Sequence, residues 1–305
     1  MPPLTVLIAG GVILLGAVVG FLSGLFGVGG GFLLTPMLSI AFGVAMPVAV
    51  GSSLCQMIGT GITATLRHWK ESIVDVKLAL ILLGGTVGGV EIGAELLKTL
   101  EDIGTTTLFA KTVRWDWLVP MCAFIVLIAG IGVATLVESL AHRRAVSSGV
   151  PVARRVGRGL FNRVLFGPTA VLAGTEGRPV PLLVVVYLGF GVGVLQGFLG
   201  VGGGIIFVPA LIYWLGCSTR MAVGTSLFVI VLSSIWGTVT HALDGNVSLR
   251  LVALILVSST VGAAAGAAVH HRLQAHQIRL YFVPVLFAAL AVIVVKMLVV
   301  FVGAV

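Results

Sequence analysis

Charge is scarce in this sequence. Asp, Glu, Lys and Arg make up only 9% of 305 residues while 58% are hydrophobic. A soluble domain carries about 25% charged residues, so no water-soluble fold could bury this much apolar surface. Cysteine is nearly absent too. Cys55, Cys122 and Cys217 are scattered through apolar surroundings, which excludes a disulfide framework and a cysteine metal site. They read as small packing residues. No HExxH, GxSxG or CxxC occurs, and no serine, histidine and carboxylate set recurs, so the chain does not read as an enzyme. No Gly-Lys-Ser/Thr follows its glycine runs, so it has no phosphate-binding loop of its own. No cofactor or metal is expected. MPPLTVLIAGG has neither a basic start nor a small-residue cleavage pattern and does not read as a signal peptide.

Long apolar runs and glycine are abundant instead. Leu4–Phe26, Ile73–Leu97, Leu118–Val137, Leu182–Leu199 and Tyr281–Val302 have about the 20 residues that cross a hydrocarbon core. Their backbone polar groups must be satisfied internally, so they are helices. The expected fold is an all-α polytopic membrane protein with about 8–10 membrane helices. The net charge of +8 is not a nucleic-acid signal, because its basic residues cluster in loops beside the spans. The implied partners are membrane lipids, with a homo-oligomer left open.

The chain repeats itself. Shifted by the distance from Gly24 to Gly197, GLFGVGGGFLLTP (24–36) meets GFLGVGGGIIFVP (197–209). Gly43 then meets Gly216, AVGSSL (49–54) meets AVGTSL (222–227), His68 meets His241, and Lys77 meets Arg250. Thr86-Val87-Gly88 aligns with Thr260-Val261-Gly262 only after a slip of one residue. Two homologous helical bundles follow, over 1–137 and 181–305, with a linker at 138–180. That linker holds seven arginines (Arg143, Arg144, Arg154, Arg155, Arg158, Arg163, Arg178) against Glu138 and Glu176. Positive charge stays on the cytoplasmic side, which places the linker there. Its stretch VARRVGRGLFNRVLF reads either as a surface helix with arginines on anionic headgroups or as a solvated linker.

Charge also bears on orientation. RHWKES (67–72) carries Arg67 and Lys70, whereas the matching HALDGN (241–246) carries Asp244; HHRLQAHQIR (270–279) is basic. The asymmetry favours inverted repeats. Inversion needs an odd number of crossings per half, so 4–26 and 31–43 form a hairpin or a re-entrant pair.

Within the repeats, glycines concentrate in GVGGG. Lone pairs such as Gly16/Gly20 and Gly189/Gly193 read as close helix crossings. Three consecutive glycines weaken a helix beyond what packing needs, by about 1 kcal/mol each relative to alanine. A break in a membrane helix is tolerated only inside protein or along a watery cavity. Short helices over 32–42 and 205–215 would start after it with bare N–H groups and the positive end of the helix dipole, a place for an anion. Gly29, Gly30, Gly31, Gly202, Gly203 and Gly204 are the candidate substrate-binding backbone. Ser52, Ser53, Thr225 and Ser226 begin the next helices; their hydroxyls would donate to the anion or cap those helices. Gln56 offers a neutral amide, with Thr60 and Ser233 further along the matching helices and Gln196 beside the second break. Glu91 and Glu95 lie one turn apart in a span. Glu91, deeper in, is the proton-coupling candidate; Glu95 reads as reaching the interface. His68 and His241 are expected at interfaces, Arg220 near the second site, and Lys296 has no assignment.

The paired GxGGG with a following proline, then AVG(S/T)SL, resembles the TauE/SafE family of sulfite and sulfonate exporters. The resemblance covers both halves but not the arginine-rich linker. It implies a secondary transporter of small sulfur-containing anions such as sulfite or organosulfonates in a bacterial-type inner membrane. Alternating access is expected, with possible coupling to protons. An anion channel, or a permease for carboxylates or thiosulfate, is the alternative.

Overall fold

A computed structural model describes residues 6–26, 29–70, 74–108, 111–147, 169–171, 179–270 and 275–302. The stretch 152–166, expected to be a surface helix or a solvated linker, lies outside them. Ten helices are described: α1 (Val6–Phe26), α2 (Gly31–Phe42), α3 (Met46–Lys70), α4 (Val76–Ile103), α5 (Trp115–Ser147), α6 (Leu182–Leu199), α7 (Gly204–Tyr213), α8 (Thr219–Leu243), α9 (Leu249–His270) and α10 (Ala275–Val302). Seven are long and apolar enough to cross a membrane, and α2 is a shorter apolar helix. Two antiparallel hairpins complete the described chain. One joins α4 to α5, with β1 (Thr105–Leu108) pairing β2 (Lys111–Arg114). The other precedes α6, with β3 (Thr169–Val171) pairing β4 (Pro179–Pro181). Helix α5 runs ten residues beyond the expected end of the first bundle at 137, carrying Arg143 and Arg144 into the linker as helix.

Local chemistry sets the helix ends. Asp75 caps α4 by accepting from the Leu78 N–H at 3.0 Å, the usual use of an N-cap carboxylate. Helix α2 stops at Gly43, which is left-handed at φ 64°, as C-terminal glycines often are.

Packing interlaces the halves. Helix α1 lies along α9, with Gly16, Gly20 and Gly24 against the backbone of Ile255, Ser259 and Ala263. Gly262 and Gly266 lie in turn against Ala17 and Phe21. Helix α4 lies along α6 in the same way, with Gly85, Gly89 and Gly93 against Val186, Phe190 and Val194. Residue numbers rise together in both seams, so each pair is parallel. A β-carbon on Gly16 would strike the Ser258 hydroxyl, and one on any of the other seam glycines a carbonyl oxygen; this close approach is what small residues supply between membrane helices. The seams also correct the alignment. Gly89 and Gly93 occupy the places of Gly262 and Gly266, so the register found upstream continues without a slip.

Helices α3 and α8 are counterparts, and they cross in opposite directions. A β-carbon on Gly61 would meet Val231, one on Gly237 would meet Leu54, and one on Gly51 would meet His241. Numbers rise on one helix as they fall on the other, so the operation relating the halves reverses helix direction. The halves are inverted. Helix α2 therefore returns toward the start of α1 before α3 sets out again. Its 12 residues span about 18 Å, short of the roughly 30 Å hydrocarbon core, so it is re-entrant.

The main core gathers Phe32, Leu34, Leu38, Met57, Phe124 and Leu286, all fully or almost fully buried. A second core around Phe207, Leu211, Leu82 and Val185 backs α7.

Candidate functional site

The glycine breaks meet at the centre of this arrangement. Gly29 is left-handed, with φ 76°, a conformation costing other L-residues about 1–2 kcal/mol. A β-carbon there would stand 3.6 Å from the Gly202 Cα. On Gly31 it would collide with the Gly200 carbonyl oxygen and come within 2.7 Å of the Met57 methyl. Gly200 is also left-handed, at φ 66°; its carbonyl accepts from the Thr35 hydroxyl at 3.5 Å. The two breaks thus abut on the pseudo-two-fold. An axis that exchanges the ends of the bundle crosses it at mid-depth, so both helix N-termini start there and run apart. Gly30 and Gly203 are the N-caps of α2 and α7, and neither helix start receives a side-chain cap.

The hydroxyls do something the sequence did not disclose. GSSL and GTSL lie in the second turns of α3 and α8 rather than at their starts, so they do not cap their own helices. Ser52 Oγ accepts from the backbone N–H of Ser248 at 3.3 Å. Thr225 Oγ1 accepts from the backbone N–H of Asp75 at 3.1 Å. Ser248 and Asp75 are counterparts at the N-termini of α9 and α4, so each half supplies a hydroxyl to a helix start of the other. Ser226 donates to the Val223 carbonyl at 2.9 Å. Ser53 is fully buried and its Oγ has no hydrogen-bond partner.

Two glutamines flank the breaks. Gln56 Nε2 donates to Ser259 Oγ at 3.0 Å and to Thr60 Oγ1 at 3.4 Å. Its Oε1 has no partner and lies 3.7 Å from where a Gly30 β-carbon would be. Gln196 is bonded at both ends. Its Nε2 donates to Ser234 at 3.1 Å and its Oε1 accepts from Ser233 at 2.9 Å. Ser259 and Met57 were not singled out from sequence. Ser259 became visible only once the unbroken register aligned it with Thr86.

Other expected positions lie elsewhere. Glu91 and Glu95 are on the exposed face of α4, opposite the seam where Gly89 and Gly93 meet α6, so Glu91 is not buried beside the breaks. His241 is 1% exposed instead of interfacial, and its Nε2–H donates to the Gly197 carbonyl at 2.9 Å. Lys296 is exposed on α10. The side chains of His68 and Arg220 lie outside the described residues. A cleft of about 550 Å³ opens at the C-terminal end of α2, lined by Ser39, Gly43, Met46, Arg114, Asp116 and Trp117. It is far from the breaks, and its one cation is taken: Arg114 binds both Asp116 carboxylate oxygens at 2.8 Å. Among the described residues no group of His, Cys, Asp and Glu is placed to hold a metal.

Parallel glycine seams, inverted halves and two re-entrant helices meeting at mid-depth define a multi-pass membrane protein of the internally duplicated, broken-helix type. The sequence pattern of the family described as sulfite exporter TauE/SafE matches residues 12–293, and the chain belongs to that family of membrane transporters. It is 28% identical over 273 residues to the "Probable membrane transporter protein YunE" of Bacillus subtilis, covering 86% of this chain and 88% of that one. To the "Probable membrane transporter protein YdhB" of the same organism it is 24% identical over 256 residues, covering 84% and 88%. A Xylella fastidiosa "Probable membrane transporter protein" is 25% identical over 262 residues, covering 85% and 84%. No solved structure matches the chain.

Proposed function

We propose that the chain is a secondary transporter that exports small sulfur-containing anions, such as sulfite or organosulfonates, from the cytoplasm across a bacterial-type inner membrane. The observation that carries this reading is the abutment of the two glycine breaks at mid-depth. Uncapped helix N-termini offer bare N–H groups and the positive end of a dipole, which suit an anion where no lysine or arginine is buried among the described residues. The candidate ligands are the backbone at Gly29, Gly30, Gly31, Gly202, Gly203 and Gly204, together with Ser53 and Gln56. Ser52 and Thr225 hold the halves together rather than the substrate. The tight fit of one break against the other favours alternating access by rocking of the halves over a standing pore.

Charge supports the orientation. Arg67, Lys70, Arg143 and Arg144 lie in the last turns of α3 and α5, at the end of the bundle where α6 and α10 start. Glu101, Asp102, Asp116 and Asp244 gather at the other, where Lys98 Nζ lies 2.7 Å from Asp244. By the positive-inside rule the linker end is cytoplasmic.

Flux into proteoliposomes tests the reading, with sulfite and sulfoacetate compared with sulfate and lactate, with and without a pH gradient. Saturable flux of sulfite or sulfonate in preference to lactate is expected. Folded protein that moves none of the sulfur anions would remove the substrate assignment.

A further inference from the structure

The two halves differ at their common centre, although the backbone repeats. At the start of α2 the first intrahelical bonds run from the Leu33 and Leu34 N–H groups to the Gly30 carbonyl, leaving the Gly31 and Phe32 N–H groups without an acceptor in the helix. Facing this end is Gln56 Oε1, fully buried and without a partner. One turn earlier on α3, Ser53 Oγ is equally buried and unpartnered. The start of α7 has neither. Val229 stands in the place of Gln56, Ser226 gives its proton to Val223, and both ends of the Gln196 amide are bonded. Space does not separate the two starts: a β-carbon on Gly203 would meet the Phe207 ring and Val192 within 2.8 Å, and one on Gly30 would meet Val19, the counterpart of Val192, at 2.7 Å. The difference lies in the polar groups.

We propose that the chain holds one anion, not two, at the N-terminus of α2, and that the Gln56 amide turns over to receive it. The inference rests on the anion-transport reading above and narrows it. In the structure the Gln56 carbonyl oxygen lies beside the helix end, 3.7 Å from where a Gly30 β-carbon would be, without bonding to its N–H groups. The Nε2 partners, Ser259 and Thr60, are hydroxyls, which donate or accept equally well. Turning the amide over keeps both bonds once the Ser259 and Thr60 hydroxyls redirect to Oε1 the protons they now give to the Leu256 and Gln56 carbonyls, at 3.3 and 3.4 Å, and it presents the amide NH₂ to the anion. Ser53 adds a second donor one turn away. No lysine or arginine is buried among the described residues, so the donors at this site are neutral. Neutral donors compensate the desolvation of one negative charge far better than of two, so the site takes a singly charged oxyanion. A sulfonate is preferred to sulfate.

Calorimetric titration of the full chain in lipid nanodiscs with methanesulfonate, whose charge is constant across working pH, reads this directly. One site per chain is expected. Gln56→Leu lowers affinity about tenfold or more, the scale of a lost hydrogen bond to a charged group, whereas Gln196→Leu leaves affinity near that of the wild type. Gln56→Glu keeps the shape but loses the donor. It binds weakly at neutral pH and recovers on acidification, once its carboxyl carries a proton to donate; a purely structural role for Gln56 would not produce that profile. Two equivalent sites, equal losses in the Gln56 and Gln196 variants, or neutral-pH binding by Gln56→Glu as tight as wild type would overturn the inference. With wild-type flux intact, such results leave the transport reading standing. A wild-type chain that neither binds nor moves any sulfur anion overturns both.

Discussion

At the residue scale, side chains of one chemical type serve different purposes here. Ser52 and Ser53 are neighbours in one motif, yet one holds a helix start of the opposite half and the other has no partner. Nothing in the string AVGSSL separates them, because the distinction depends on which face of α3 meets α9. Glu91 shows the same limit. A carboxylate within an apolar span is a functional hypothesis by default, but its helix turns it away from the breaks. Glu91→Gln should therefore leave both the rate of anion flux and its response to a pH gradient unchanged in proteoliposomes. Uncoupling in that variant would return Glu91 to the transport cycle and require a route from the exposed face of α4 to the centre.

At the scale of elements, the organising feature is the glycine seam. Its spacing of four was visible in Gly16/Gly20 and Gly189/Gly193, and these pairs do serve close crossing. What the spacing could not tell was the partner, which for each seam comes from the opposite half. Gly84, on the outer face of α4, carries no such constraint; a β-carbon there would meet nothing within 4 Å. Gly20→Leu should abolish the folded protein or lower its melting temperature sharply, because the leucine would be driven into the Ser259 backbone. Gly84→Ala should be neutral or stabilising by up to about 1 kcal/mol, since alanine is the better helix former. Thermal unfolding in detergent, followed by intrinsic fluorescence, separates the two. Equal behaviour would mean that the α1–α9 contact is not close.

At the scale of the whole molecule, inversion determines where every loop lies. Among the described residues the α4–α5 hairpin shares an end with the α8–α9 turn, as the Lys98–Asp244 pair requires, while the α3–α4 loop shares the linker end. With native cysteines replaced, a cysteine at Thr106 should react with an impermeant maleimide in intact cells. One at Ser147 should react only after permeabilisation. The reverse pattern would turn the molecule over and make the proposed exporter face the other way.

Composition, the repeat and the doubled GVGGG were enough to establish a duplicated helical membrane protein with broken helices, because hydrophobic length and glycine content are local quantities written in order along the chain. Charge placement pointed further, to inversion, since loop charge follows the side of the membrane. Which half lends its hydroxyl to which helix, where Glu91 and His241 face, and the inequality of the two breaks were decided only by the tertiary structure. Each depends on the rotation of one helix against another, and residues nearly 200 positions apart, such as Ser52 and Ser248, become neighbours only when the halves interlace.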